Sequence, residues 1–579
     1  MNIFFEKVWG EAVAFLDRSR KIDWVDLIVV LGIGGLLFGM ITLAGNWTGA
    51  ARPLIEINLH PLALIPYTFY SLCRGMLAYA LSLLFTLVYG YWAAKDPLAG
   101  RVLVPLLDIL QSIPVLGFMP GVVLALVALF PSSNIGLELA SVIMIFTGQV
   151  WNMTFSFYQS LRAVPQDMKE VAKIYGFNWR QQLRWMEIPF AMSGLVWNSM
   201  MSMAGGWFFL MISEAFVLGN KDFRLPGIGS YMSVAVAKGN VSAMLWAILA
   251  MVTMIILLDQ LLWRPVVVWA QKFNSEESGR QEIMSSWALD FFRRSRLIAF
   301  LHRIFIRGVR KLKKHYSKMP VLHHPSPSPF WTRWVSLIIF SGLLIFLALG
   351  GLKLLFLIHS LSLLQWGPIL SAALLTLMRV LTATALGTLW AVPAGLAIGL
   401  SPRLSRIFQP LVQIAASFPA PMLFPAAIAG LKMLNISLGW GSILLMLLGT
   451  QWYILFNVIA GAMAIPSDLR EAAFSYRIGR WQKFTRIHLP AIFPYLVTGW
   501  VSAAGGAWNA SIVSEYVSFH GKTIAAPGLG AYISTMAEKA DFTHLAAGIM
   551  MMSTVVVLFN RLVWRSCYQL AEQRYSLNK

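Results

Sequence analysis

The chain has 579 residues, 58% hydrophobic and only 12% charged, with a formal charge of +21. That composition, with repeated long apolar runs, excludes a set of soluble domains and argues a polytopic helical membrane protein. The basic residues lie in loops between apolar spans, where membrane orientation accounts for them and no nucleic-acid partner is needed.

Taken in order, apolar segments long enough to cross about 30 Å of hydrocarbon run near 26–45, 66–94, 103–130, 137–161, 190–218 and 243–268. A second set runs near 333–357, 367–400, 405–431, 441–463, 491–517 and 543–566. The expected fold is an all-α polytopic membrane protein with 12 transmembrane helices in two parallel six-helix repeats. Constant offsets support the repeat. Arg74/Arg379, Pro97/Pro402, Ser112/Ser417, Pro114/Pro419 and Pro120/Pro425 differ by 305. Glu170/Glu471, Pro189/Pro490, Gly205/Gly506, Glu214/Glu515 and Trp263/Trp564 differ by 301. An even number of spans per half makes the repeats parallel. The expected division is 1–269 for the first repeat (core 66–268), 270–332 for a basic cytoplasmic linker and 333–579 for the second (core 367–566).

The first apolar run is too long for a cleaved signal core and reads as an uncleaved span. Lysine and arginine placement puts the N- and C-termini on the cytoplasmic side. Arg74 and Arg379 enter the second spans, while Glu214 and Glu515 close the fifth. Intramembrane charges are costly and usually paired or functional. Each arginine is therefore expected to pair with a glutamate near the outer end of a translocation pathway and help to close it. The competing reading is that each snorkels to the headgroups. In the third spans, Ser112-Ile113-Pro114 with Pro120, and Ser417-Phe418-Pro419 with Pro425, must interrupt helix hydrogen bonding. Such a break either offers backbone to a substrate or is a packing kink.

A stretch between the fourth and fifth spans occurs twice, from Glu170 to Pro189 and from Glu471 to Pro490. Small residues follow each acid: Val171 and Ala172, then Ala472 and Ala473. Asp167 with Glu170, and Asp468 with Glu471, have the spacing of a reciprocal helix cap. Each proline stands where an apolar helix begins. The reading is a short polar helix, a turn, a short basic helix and re-entry into the membrane, with small residues permitting close approach of another protein. Farther on, residues 287–314 read as a basic amphipathic helix on anionic headgroups. His323-His324 and the prolines after them read as an extended spacer. No phosphate-binding loop is present, because Gly521-Lys522-Thr523 lacks a glycine at Tyr516. Cys73 and Cys567 are too far apart for a disulfide framework.

The repeated stretch resembles the E-A-A-x-x-x-G…I-x-L-P loop of binding-protein-dependent ABC transporter permeases. The first copy keeps Gly176; the second has Arg477 there. The proline pairs, and Ser71-Leu72-Cys73-Arg74, resemble the nitrate/sulfonate/taurine branch, whereas the second half departs by one residue with Thr376-Leu377-Met378-Arg379. The resemblance implies a non-enzymatic membrane subunit of a bacterial inner-membrane importer for a small anion, with both permease halves fused. It also implies two cytoplasmic ATPase subunits docked on the repeated loops and an extracytoplasmic substrate-binding protein. ATP would be bound by the separate subunits, and this chain would need no cofactor or metal. The runner-up is a twelve-span secondary transporter of the major facilitator type, although its signature loop fits Gly90, Asp96, Gly100 and Arg101 poorly. A membrane-embedded enzyme is a third reading, without a His/Asp/Glu cluster in the spans to support it.

Overall fold

The computed structural model describes residues 24–48, 56–218, 221–273, 286–295, 303, 329–519 and 522–575. These fall into two compact units. The smaller comprises residues 1–46 and 258–338, the larger 47–257 and 339–579. In the smaller unit, the linker contributes one described helix, Trp287–Arg294. It is tied down at both ends. Trp287 Nε1 donates to Gln260 Oε1 at 3.0 Å, and Ser295 Oγ donates to Asp26 Oδ1 at 2.8 Å. The remainder of the expected basic helix, and the His323-His324 spacer, lie outside the described residues.

The larger unit carries the second to fifth spans of both halves. The second spans are Leu64–Lys95 and Leu363–Leu400. The fourth are Ile135–Ala163 and Leu438–Met463, and the fifth are Ile188–Ser213 and Leu489–Ser514. Each fourth span packs between the second and fifth of its own half. Lipid offers helices no hydrophobic drive to associate, so close backbone approach through small residues holds them. A Cβ at Gly395 would overlap Val458, and one at Gly399 would overlap Ala462. The buried cluster there includes Val392, Ile454, Ile459, Ile492 and Leu496.

Among the described residues, nine helices are long and apolar enough to cross a membrane, or ten if one bent pair counts as a span. The expected count is twelve, and the expected proline breaks in the third spans account for part of the difference among the described residues. The third span of the first half is two helices, Pro97–Ser112 and Val115–Leu129, with Pro114 as the N-cap of the second. Its counterpart breaks at Pro419 between Pro402–Ser417 and Ala420–Met433, which meet at 84°.

The helical fold has one addition that the hydropathy pattern hides. After each fifth span the chain forms a two-stranded antiparallel hairpin. Ala215–Leu218 pairs with Lys221–Arg224, and Tyr516–Phe519 with Lys522–Ala525. Lys522 and Thr523 are thus strand residues and not the end of a phosphate loop. A ten-residue helix follows each hairpin, Ile228–Ala237 and Leu529–Glu538, before the sixth span.

Pro189 and Pro490 each follow a single π-helical turn, Leu183–Glu187 and Phe484–His488. Proline cannot donate within a helix, and its ring crowds the carbonyl four residues back. A wider turn before it lets the basic segment run straight into the fifth span.

Candidate functional site

The buried charges come together around one end of each half. In the first, Arg74 Nη1 donates to Glu214 Oε1 at 2.7 Å and to the Pro226 carbonyl at 2.9 Å. Ser71 Oγ donates to the same carboxylate at 2.6 Å and accepts from the Ile228 N–H at 3.0 Å. The Gly229 N–H donates to Glu214 Oε2 at 2.7 Å. Glu214 therefore caps the helix Ile228–Ala237, where the dipole favours an anion. The second half repeats the arrangement. Arg379 Nη1 lies 2.7 Å from Glu515 Oε1 and 2.8 Å from the Pro527 carbonyl. Thr376 Oγ1 donates to Glu515 at 2.9 Å and accepts from the Leu529 N–H at 2.8 Å. The departure from Ser71 to Thr376 is thus chemically silent, because the hydroxyl is what the cluster uses.

This geometry excludes snorkelling, since Arg74 is 0% and Arg379 only 9% exposed. It also places each pair inside one half. Span two, span five, the Pro-Gly turn and the short helix of a single repeat are fastened together. The turn glycines follow from the carboxylate's position: a Cβ at Gly227 would overlap Glu214, and one at Gly528 would overlap Glu515. These sequences, Pro226-Gly227-Ile228-Gly229 and Pro527-Gly528-Leu529-Gly530, are therefore turns closed around an acid.

One member was not anticipated. Glu138 receives Arg74 Nε at 2.5 Å and Nη2 at 2.7 Å, a bidentate fork. It sits in the first turn of the fourth span, again at a helix N-terminus. Its counterpart 301 residues on is Gly439, whose carbonyl accepts from Arg379 Nε at 3.1 Å. An acid near the start of an otherwise apolar span, with glycine at the equivalent place, is the signal that could have found it.

The repeated loops project from the other end. Each opens on a short helix, Gln166–Ile174 in the first and Ser467–Ser475 in the second. Neither has the expected reciprocal cap: Pro165 and Pro466 occupy the N-cap and no side chain bonds there. Asn178 and Gln181 form such a box one helix later. The two small residues also divide. Ala172 and Ala473 are buried, and Ala172 packs with Val164, Met186 and Phe177. Val171 and Ala472 face outward. Glu170 and Glu471 are exposed and make no hydrogen bond or ion pair among the described residues. Beside them stand large exposed apolar groups, Ile174 at 81% and Phe474 at 78%. Gly176 and Arg477 occupy the same left-handed position, with φ of 63° and 49°. The N–H groups just after, Phe177 and Ile478, reach back to Ala172 and Ala473 carbonyls at 2.9 and 3.1 Å. That closure is the Schellman motif. The first loop has a further fastening, an ion pair of Lys95 with Glu187. The equivalent positions in the second half hold Leu400 and His488.

Ser112 ends the first helix of its broken span. Ser417 Oγ donates to the Gln413 carbonyl at 2.9 Å and lines a cavity between the halves. The hairpin of the second half is fastened to the following helix by Tyr516 and Glu538. Burial, with that carboxylate beside it, pushes the Tyr516 phenol up to about 12.

Two helical repeats with broken third spans, buried ionic clusters and protruding loops between spans four and five define a duplicated membrane transport permease. The family described as "Binding-protein-dependent transport system inner membrane component" matches residues 86–262 and again 387–575. The chain belongs to that family, and the facilitator-type reading is not favoured. Among similar proteins, the nitrate import permease protein NrtB of Leptolyngbya laminosa is 23% identical over 188 residues, 32% of this chain and 64% of that protein. The bicarbonate transport system permease protein CmpB of Synechococcus elongatus is also 23% identical over 188 residues, with the same coverage. The taurine transport system permease protein TauC of Escherichia coli is 26% identical over 184 residues, 32% of this chain and 63% of that protein. The chain thus spans just under two thirds of the length of these relatives.

Proposed function

We propose that this protein is the fused membrane pathway of an ATP-driven importer in a bacterial inner membrane. Its solute is a small anion of the nitrate, bicarbonate or sulfonate kind, as the names of the relatives suggest. Two cytoplasmic ATPase subunits engage the helices Gln166–Ile174 and Ser467–Ser475, and an extracytoplasmic binding protein delivers the solute to the opposite face. Both termini and the linker at 270–332 lie on the ATPase side, between repeats at 1–269 and 333–579. ATPase closure draws the docking helices together and tilts the halves between inward- and outward-open forms. The arginine–glutamate clusters act as fixed struts that keep the outer end of each half moving as one piece when the path closes.

The observation that carries this reading is the pair of exposed knobs, each offering a free glutamate beside bare apolar side chains. Monomeric surfaces seldom leave such groups together unless something covers them. The test is co-purification of an ATP-hydrolysing subunit with the tagged chain. Joint replacement of Glu170→Ala, Ile174→Glu, Glu471→Ala and Phe474→Glu is expected to abolish it and to stop uptake. Retention of the subunit by that variant would refute the docking assignment.

A further inference from the structure

The two halves engage their arginines differently. Arg74 gives Nε and Nη2 to the Glu138 carboxylate and Nη1 to Glu214. Arg379 keeps the Nη1 contacts, with Glu515 and the Pro527 carbonyl, and turns Nε onto the Gly439 carbonyl. Its Nη2 makes no hydrogen bond or ion pair among the described residues. The Gly439 carbonyl cannot take that donor as well, because Ser442 Oγ already donates to it at 3.1 Å. A carbonyl oxygen offers two lone pairs, and both are engaged. A guanidinium whose side chain is nine-tenths buried thus carries donors that no described group receives, an arrangement that burial ordinarily penalises.

The space beside that nitrogen is lined by further donors. A Cβ placed on Gly439 would stand 3.7 Å from Arg379 Nη2 and 3.7 Å from Ser437 Oγ. Ser437 is the N-cap of the 26-residue helix Leu438–Met463, yet its hydroxyl makes no capping bond there. It faces solvent, which gives ions access. Leu438 and Gly439 open the helix, where N–H groups have no acceptor in a preceding turn. A guanidinium nitrogen, a hydroxyl and the positive end of a helix dipole therefore meet beside Gly439. In the first half the equivalent residue is Glu138, whose carboxylate receives Arg74 Nη2 at 2.7 Å in the first turn of the same span. That half demonstrates that this frame accepts a carboxylate and the negative charge it brings.

We propose that the second half binds one small carboxylate from solution beside Gly439, held by Arg379 Nη2 and Ser437 Oγ, in the place that the Glu138 side chain fills in the first half. The anion is a resident of the fold and not cargo. All of its donors belong to one half, and none of them lines the cavity between the halves. Such binding is independent of the importer reading above. With the anion seated, the second cluster sets one arginine against two carboxylates, as the first does, and the fourth span joins the strut in the same way. Donors on two sides of the space suit a group with two oxygens, which a spherical chloride cannot imitate. Donors that already meet water gain only the difference between two hydrogen bonds, so the dissociation constant is expected near about 10 mM.

The experiment is thermal unfolding of the full chain, with any subunits that accompany it, in lipid nanodiscs at neutral pH. Sodium acetate replaces sodium chloride at constant ionic strength. Between about 1 and about 100 mM acetate the midpoint is expected to rise by about 2 °C. Gly439→Glu supplies the carboxylate from the chain itself. Its midpoint should lie above that of the unaltered chain and should lose the acetate response. A general salt effect is common to all variants, so the difference between the two titrations is the reading. Gly439→Gln fills the same space without the charge and should not raise the midpoint. Glu138→Gly gives the first half the arrangement of the second; it should lower the midpoint and enlarge the acetate response about twofold. An unaltered chain indifferent to acetate would overturn the proposal. So would a full response retained by Gly439→Glu, or a midpoint raised as much by glutamine as by glutamate. Should Gly439→Glu fail to fold, the unaltered chain and Glu138→Gly decide: a larger rise in the variant supports the site, and an equal or smaller one refutes it.

Discussion

The two halves carry the same strut but do not load it equally. In the first, one guanidinium serves two carboxylates, Glu138 and Glu214; in the second, Arg379 serves Glu515 and a backbone carbonyl. The first cluster thus holds one more formal negative charge than the second in a low-dielectric place. It is tolerable because every oxygen of both carboxylates accepts at least one hydrogen bond and both acids sit at helix N-termini. The repeated loops differ in the same direction. The first has a glycine at its left-handed turn and an ion pair at its root; the second has an arginine at the turn and neither partner of that pair. What the comparison teaches is that the fastening itself was retained through duplication while its reinforcement was not.

The largest way to break this comparison is to remove the guanidinium. Arg74→Met leaves two buried carboxylates without a counter-charge and is expected to destabilise the purified chain in lipid nanodiscs by about 3–5 kcal/mol. Arg379→Met leaves one, near a slightly exposed edge, and about 2 kcal/mol is expected. Denaturation midpoints of the two variants decide the matter, and an equal or larger loss at Arg379 would contradict the unequal loading.

A symmetric expectation follows from the turns. Gly227→Ala and Gly528→Ala each push a methyl group into a fixed carboxylate, and each should lose about 1–3 kcal/mol. Because this clash is common to both halves, the two losses should agree; a loss in one half only would mean that the struts differ in more than charge.

The smallest expected effect lies in the repeated loops. Arg477 adopts a backbone region that disfavours side chains by roughly 1–2 kcal/mol. Arg477→Gly should therefore steady the second loop by about 1 kcal/mol, while Gly176→Ala should weaken the first by a similar amount. Amide hydrogen exchange across residues 166–178 and 467–479 would read both changes, and slower exchange at Phe177 after Gly176→Ala would contradict the glycine argument.

Much of the helical fold and part of the site were legible in the residues. Arginine in span two and glutamate at the end of span five stand at matching depths, and cost alone argues that they meet. The prolines at 114 and 419 announce their breaks because a missing N–H is a local fact. Glu138 was not legible in this way, since nothing in its neighbours distinguishes a strut member from a helix cap; only its lack of a counterpart at Gly439 sets it apart. The hairpins escaped notice because four-residue strands leave no periodic trace beside spans of this length. The inward turn of Ala172 was equally hidden, because which of two adjacent small residues faces home depends on how the loop is hung.

Tyr453 lines the cavity between the halves. Its equivalent in the first half is Asn152, a smaller carboxamide. A pathway assembled from two identical polypeptides would be obliged to present either two phenols or two carboxamides across its axis. Joining the halves in one gene product lifts that obligation, so the two flanks of the cavity can differ in chemistry.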